Sequence, residues 1–235
     1  MSINLDVLNQ RFEKESIEFL LTCYLEAHKG RIALASSFGV EDQVLVDMML
    51  RIDPTVKIFT LDTGRLSEET YSVIDQTNRK YGIKVDIYCP DKEALEALYQ
   101  EQGVNGFRES VENRKTCCNV RKMEPLRRAL SGLEVWITGL RRSQSPTRET
   151  MQLIEWDEGN GLIKLNPLIE WSEKMVWDYI IENQVPYNVL HDHGYPSIGC
   201  APCTRAIREG EELRAGRWWW ENPEHKECGL HLKGN

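Results

Sequence analysis

No stretch of this 235-residue chain approaches the roughly 18 to 20 consecutive apolar residues that cross a bilayer. Its first residues, Met1-Ser2-Ile3-Asn4-Leu5-Asp6, hold no positive cluster leading into an apolar run, so no secretory signal is read and a cytoplasmic protein is expected. Positive charge is in deficit. With 29 Lys and Arg against 37 Asp and Glu, the net charge of −8 argues against a non-specific nucleic-acid binder, although local basic clusters can still hold a small anion. Internal repeats and low-complexity segments are missing, as is the G-K-[ST] of a Walker A loop. Histidine is scarce, at 5 residues. His191 and His193 flank Asp192 in a loop-like stretch, and a lone His-x-His there is read as hydrogen bonding or surface rather than as a metal site.

What is present is ordinary in bulk and specific in places. Hydrophobic residues at 41% and charged residues at 28% are ordinary for a soluble globular protein, and the length fits one large domain or one domain with a tail. Apolar periodicity predicts a packing helix over 5–29, ended by Gly30. A buried strand follows over 31–37, then a small turn, Phe38-Gly39-Val40-Glu41-Asp42, and a helical run from Val44 to Leu50. Strand, small polar turn and helix make the shape of a phosphate-binding loop. The pattern repeats as a strand over 56–61, a helix over 67–80, a strand over 83–90 and a helix over 91–101. A strand over 134–140, a late strand over 161–168 and a Ser172-capped helix over 173–183 complete it. This β-α rhythm predicts a twisted, mainly parallel sheet with helices on both faces.

Seven cysteines in a chain expected to stay reduced are unsuited to a disulfide framework, and clustered cysteines there point to metal or redox chemistry. Cys23 reads as a small buried hydrophobe and Cys89, before Pro90, as structural. Four others form two clusters: Cys117-Cys118, and about eighty residues on, Cys200-x-x-Cys203. Four thiolates can hold zinc or an iron–sulfur cluster. Neighbouring helical side chains diverge by roughly 100°, so a tandem pair suits the separate corners of a [4Fe–4S] cluster better than one small ion.

Two further features concern anions and nucleophiles. Arg141, Arg142 and Arg148 lie in a polar loop after the 134–140 strand, where planar guanidinium forks suit phosphate or sulfate. Cys228 stands apart near the C-terminus with Lys226 and His231 close by. Neighbouring positive charge raises the thiolate fraction, and Arg214 and Arg217 precede it, so Cys228 is a candidate nucleophile.

Over nearly its whole length the chain resembles the assimilatory adenylyl-sulfate (APS) reductases, the iron–sulfur branch of the phosphoadenylyl-sulfate (PAPS) reductase family. The residues that carry the resemblance are Ser36-Ser37-Phe38-Gly39, Leu61-Asp62-Thr63-Gly64-Arg65, Lys115-Thr116-Cys117-Cys118, Gly139-Leu140-Arg141-Arg142, Cys200-x-x-Cys203 and Glu227-Cys228-Gly229-Leu230-His231. The resemblance implies an adenine nucleotide alpha hydrolase-like fold over 1–217 and a mobile catalytic tail over 218–235. It implies a [4Fe–4S] cluster on Cys117, Cys118, Cys200 and Cys203. Ser36, Ser37, Phe38 and Gly39 would contact the nucleotide, and Leu61 to Arg65 would lie beside the adenosine. Arg141, Arg142 and Arg148 would line the phosphosulfate loop, with Arg214 and Arg217 at the sulfate. Lys122 would sit between cluster and substrate, and His231 would accompany Cys228. Thioredoxin or glutaredoxin would be the electron donor, and a homodimer or homotetramer the assembly.

Three rivals remain at this level. PAPS could be the substrate, alone or beside APS. An ATP-pyrophosphatase-type sulfur transferase would share the fold, but it wants an S-G-G-x-x-S loop that Ser36–Asp42 does not match. A Cys₄ zinc module without catalysis predicts a colourless protein.

Overall fold

The structure, a computed structural model, describes residues 4–145 and 148–222. Two helices open the chain, α1 (Leu5–Phe12) and α2 (Ile17–Ala27), where the periodicity predicted one. The reason is local: Ser16 is extended and its side chain accepts from the Phe19 amide at 3.2 Å, so it caps a new helix. Then come β1 (Ile32–Ala35), α3 (Val40–Ile52), β2 (Lys57–Leu61), α4 (Glu68–Tyr81), β3 (Asp86–Tyr88) and α5 (Lys92–Gln102). Next, α6 (Val111–Cys118) runs through a π-helical turn (Asn119–Met123) into α7 (Glu124–Leu130). The chain continues through β4 (Val135–Ile137), β5 (Ile154–Asp157), β6 (Leu162–Leu165) and α8 (Glu173–Glu182).

The sheet order is β3-β2-β1-β4-β6-β5. All neighbouring pairs are parallel except β5 with β6, a hairpin not foreseen from the sequence. Its turn is held by Asp157, whose carboxylate accepts from the Asn160 amide at 3.1 Å, and is closed by Gly161 at φ +69°. Strand residues alternate between two cores, as a sheet covered on both faces requires. Ile32, Leu34, Ile58, Val135, Ile137, Ile163 and Leu165 belong to the larger core, with residues of α2, α3, α4 and α8. Ala33, Phe59, Trp136 and Leu162 face the smaller one, built on α7. The expected fold class is therefore what the chain adopts.

The sheet order puts β2 on one side of β1 and β4 on the other. That reversal opens a crevice at the C-terminal ends of the strands, where open α/β sheets bind ligands. The expected boundary after residue 217 does not hold for 218–222. Trp218 is 1% exposed, its amide donates to the Cys203 carbonyl at 3.1 Å, and Glu221 is ion-paired inside the body. Cys228 and His231 lie outside the described residues.

Candidate functional site

A cavity of about 500 Å³ fills the crevice. Its β1 wall is the turn from Ser36 to Asp42. The chain leaves the strand through Phe38 in the left-handed region at φ +59°, an uncommon conformation for a bulky residue. The Ser36 hydroxyl accepts from the Phe38 amide at 3.1 Å, and Asp42 accepts from the Ser37 amide and hydroxyl at 2.5 and 2.7 Å. Ser36, Ser37 and Gly39 line the cavity, whereas Phe38 packs in the larger core. Asp42 is buried, and burial pushes its carboxyl up to about 6; the Ser37 hydrogen bonds oppose that and the Glu41 charge adds to it. The expected phosphate loop thus already has two acidic residues, Glu41 and Asp42, in the first turn of its helix. Gly139, after β4, closes this wall: a Cβ there would overlap Asp42 Oδ1 and lie 3.0 Å from the Asp42 amide nitrogen.

The turn after β2 splits its five expected contacts. Leu61 and Thr63 line the cavity. Asp62 instead accepts from the Gly64 amide at 2.8 Å and the Tyr71 hydroxyl at 2.9 Å, shaping a turn that needs Gly64 at φ +67°. Arg65 swings away, donating to the Val104 carbonyl and lying 5.1 Å over the Phe107 ring.

The arginines divide as well. Arg141, Arg148, Arg214 and Arg217 line the cavity with Lys122. Arg142 does not: it pairs with Glu170 at 2.5 Å and donates to the Glu149 carbonyl. Arg141 is held by Glu41 at 2.9 Å, and Gln144 donates to the same carboxylate oxygen at 2.8 Å while accepting from Arg148. Arg217 donates to the Ile198 carbonyl at 2.8 Å and rests against Gly199, whose missing Cβ leaves room for the guanidinium. His191 also lines the cavity, and burial pulls its imidazole down to about 4, so it is neutral at pH 7.

A second, smaller cavity adjoins the first. Cys117, Cys118, Cys200 and Cys203 all line it, with Arg65, Arg114, Arg121, Lys122 and Trp218. Two residues, Lys122 and Cys200, line both cavities. Burial alone would raise the Cys200 thiol, but Lys122, a 3.3 Å hydrogen bond with Thr63, and Arg217 and Arg121 bring it below its ordinary value. Cys203 is pushed up to about 12 by burial and by Cys200.

Among the described residues, no three His, Cys, Asp or Glu side chains are gathered as a single-ion site would need. The donor chemistry of the walls fits a larger polyanionic group ligated by four thiolates. Among the described residues, Arg121 Nε and Trp218 Nε1 are buried donors with no hydrogen-bond partner, and the ionisable groups lining this cavity besides the thiols are cationic. Arg121, 2% exposed, is a residue of this wall that the sequence does not distinguish from the other cations over 108–130. It donates to the Thr63 carbonyl at 2.5 Å and the Tyr99 hydroxyl at 2.6 Å, tying the β2 turn to the cysteine helix. Its sequence signal was charge alone, shared with Arg108, Arg114, Lys115, Arg127 and Arg128.

Residues 31–206 match the model of the phosphoadenosine phosphosulfate reductase domain. The chain belongs to that family. Within it, the chain is an enzyme of the adenosine 5'-phosphosulfate reductase group, oxidoreductases acting on a sulfur group. It is 51% identical to an adenosine 5'-phosphosulfate reductase of Allochromatium vinosum, over 99% of this chain and 90% of that protein. A Burkholderia cepacia protein of the same name is 48% identical over 93% and 87%. Among solved structures, a phosphoadenylyl-sulfate reductase from Candida auris, in a phosphate complex, superposes with a TM-score of 0.75 at 29% identity, covering 88% of this chain and 99% of that one. A Candida glabrata FMN adenylyltransferase shares the fold at a TM-score of 0.53 and 16% identity, covering 94% and 82%. Among the described residues of the reductase, no helix is long and apolar enough to cross a membrane.

Proposed function

We propose that this reductase converts adenosine 5'-phosphosulfate to sulfite and AMP through a covalent sulfo adduct on Cys228, in the assimilation of sulfate toward cysteine. The observation that carries the reading is the shared wall. A nucleotide-sized cavity edged by Arg141, Arg148, Arg214 and Arg217 meets a four-cysteine cavity at Lys122 and Cys200.

The Cys228 thiolate attacks the sulfuryl sulfur, the bond from sulfur to the bridging phosphate oxygen breaks, and AMP leaves with that electron pair. One thiolate of a reduced dithiol partner then attacks Cys228 Sγ, and sulfite leaves with the electron pair of the S–S bond. The second thiolate closes the partner's disulfide and frees Cys228. Thioredoxin or glutaredoxin supplies this dithiol. Charge develops on the sulfuryl oxygens and the departing phosphate, so fixed cations aimed at them are the main stabilisation available. Arg214 and Arg217 serve the sulfuryl end, and Arg141 and Arg148 the phosphate. Ser36, Ser37, Gly39, Leu61 and Thr63 hold the nucleoside, and His231 accompanies Cys228. Cys117, Cys118, Cys200 and Cys203 would hold a [4Fe–4S] cluster, which supplies a fixed electrostatic centre beside Lys122 and order to two separated segments. The reaction is placed in the cytoplasm, in a homodimer or homotetramer.

Anaerobically purified protein tests the reading. With reduced thioredoxin, APS should yield AMP and sulfite in equal amounts, and Cys228→Ser should abolish both while AMP binding persists. Turnover by Cys228→Ser would overturn it. Comparing kcat/KM for APS and PAPS decides between them as substrates. Preference for PAPS would move the reductase to the alternative reading.

A further inference from the structure

A buried ion pair joins the cysteine helix to the segment that leads to Cys228. Arg114 and Glu221 are each 3% exposed at the side chain, and both contacts of the guanidinium fork to the carboxylate are 2.9 Å. They are 107 residues apart in sequence. Arg114 lies one helical turn before Cys118 on α6, and its side chain also hydrogen-bonds Cys118. Arg114 and Arg217 each also lie 4.8 Å from the Trp218 ring. One side chain therefore touches a cysteine of the small cavity, the root of the C-terminal segment, and the ring that carries an arginine of the substrate cavity.

A surface pair would contribute little. A fully buried bidentate pair is different: it is costly to desolvate and specifies one arrangement of its two segments. An aliphatic contact would have packed as well without fixing orientation. Glu221 precedes Cys228 by seven residues, a span of at most about 25 Å when extended. Where Glu221 is fixed therefore bounds where the thiol can reach.

We infer that Arg114 and Glu221 are positioning residues for sulfuryl transfer, fastening the root of the Cys228 segment to the cysteine helix and to Arg217. The inference rests on the reading of Cys228 as nucleophile. Misplacement of reacting groups by about 1 Å can cost on the order of a hundredfold, so the effect belongs in kcat and not in nucleotide binding.

Two variants test it in the full-length, anaerobically purified protein. Glu221→Gln keeps the shape and one acceptor but removes the charge. The double variant Arg114→Met/Glu221→Leu replaces the pair by apolar groups of similar size, which buried pairs commonly tolerate without loss of stability. Iron content, AMP affinity and the single-turnover rate of sulfo-adduct formation are measured for each. The expected result is iron and AMP affinity within about twofold of the parent, with the adduct rate reduced about ten- to a hundredfold. A parental rate in either variant overturns the inference. So does parallel loss of iron, AMP binding and rate, because the pair would then be a stability element only. Cys228→Ser separates the two readings: if it still turns over, the nucleophile assignment fails whatever the pair does.

Discussion

Asp42 concentrates the tension of this site in one residue. Its carboxylate organises the turn after β1, yet burial makes its charged form costly and lifts its pKa from 3.8 to about 6. A raised carboxylate pKa stabilises the fold fully below the unfolded value, and that contribution is lost as pH rises through the folded value. Wild type should therefore lose stability relative to Asp42→Asn as pH rises from 4 to 7, by up to about 3 kcal/mol for a shift near two units. Denaturant titrations across that range check it, and a pH-independent difference would place the charge elsewhere. Gly139 faces the same carboxylate. Gly139→Ala should weaken AMP binding and lower the melting temperature, since the new methyl group would meet the Asp42 carboxylate, the Asp42 backbone and the Glu41 Cβ. Arg217→Ala should cost roughly 2–4 kcal/mol in kcat/KM, on the scale of one lost oxyanion donor. An unchanged value would remove Arg217 from the transition state.

Elements explain what could and could not be read in advance. The β-α rhythm, the Gly30 stop and the Ser172 cap are local signals, and the sheet followed from them. The missed hairpin was local too: Glu158-Gly159-Asn160-Gly161 is a turn sequence between two apolar segments. Side-chain direction was not legible. The Leu61 to Arg65 stretch announces a turn, but whether Arg65 meets the cavity or Phe107 depends on an aromatic forty residues on. The two cysteine clusters line one small cavity; the Arg114–Glu221 pair between remote segments left no pattern to find. The same long-range logic holds α3 in place. Asp47, buried on that helix, accepts from Tyr81 of α4 and Tyr179 of α8, both at 2.7 Å, and from Arg51 at 2.9 Å. Asp47→Ala should destabilise the fold by about 2–4 kcal/mol, since two tyrosine hydroxyls lose their acceptor. A loss below about 0.5 kcal/mol in urea denaturation would contradict this.

At the scale of the whole molecule, two cavities share a wall at Lys122 and Cys200. In the proposed reaction the four cysteines order the scaffold, the cations stabilise developing charge, and Cys228 makes the new bond. Cys203→Ser should remove iron and activity together while the sheet persists by circular dichroism. Retained iron with full activity would separate that thiol from the centre. The most direct test is a single turnover without reductant. APS mixed anaerobically with the enzyme should release about one AMP per active site and leave Cys228 carrying a sulfo group by mass spectrometry, with sulfite appearing only when a dithiol is added. AMP and sulfite appearing together before any dithiol, or a sulfo group found on another residue, would contradict the account.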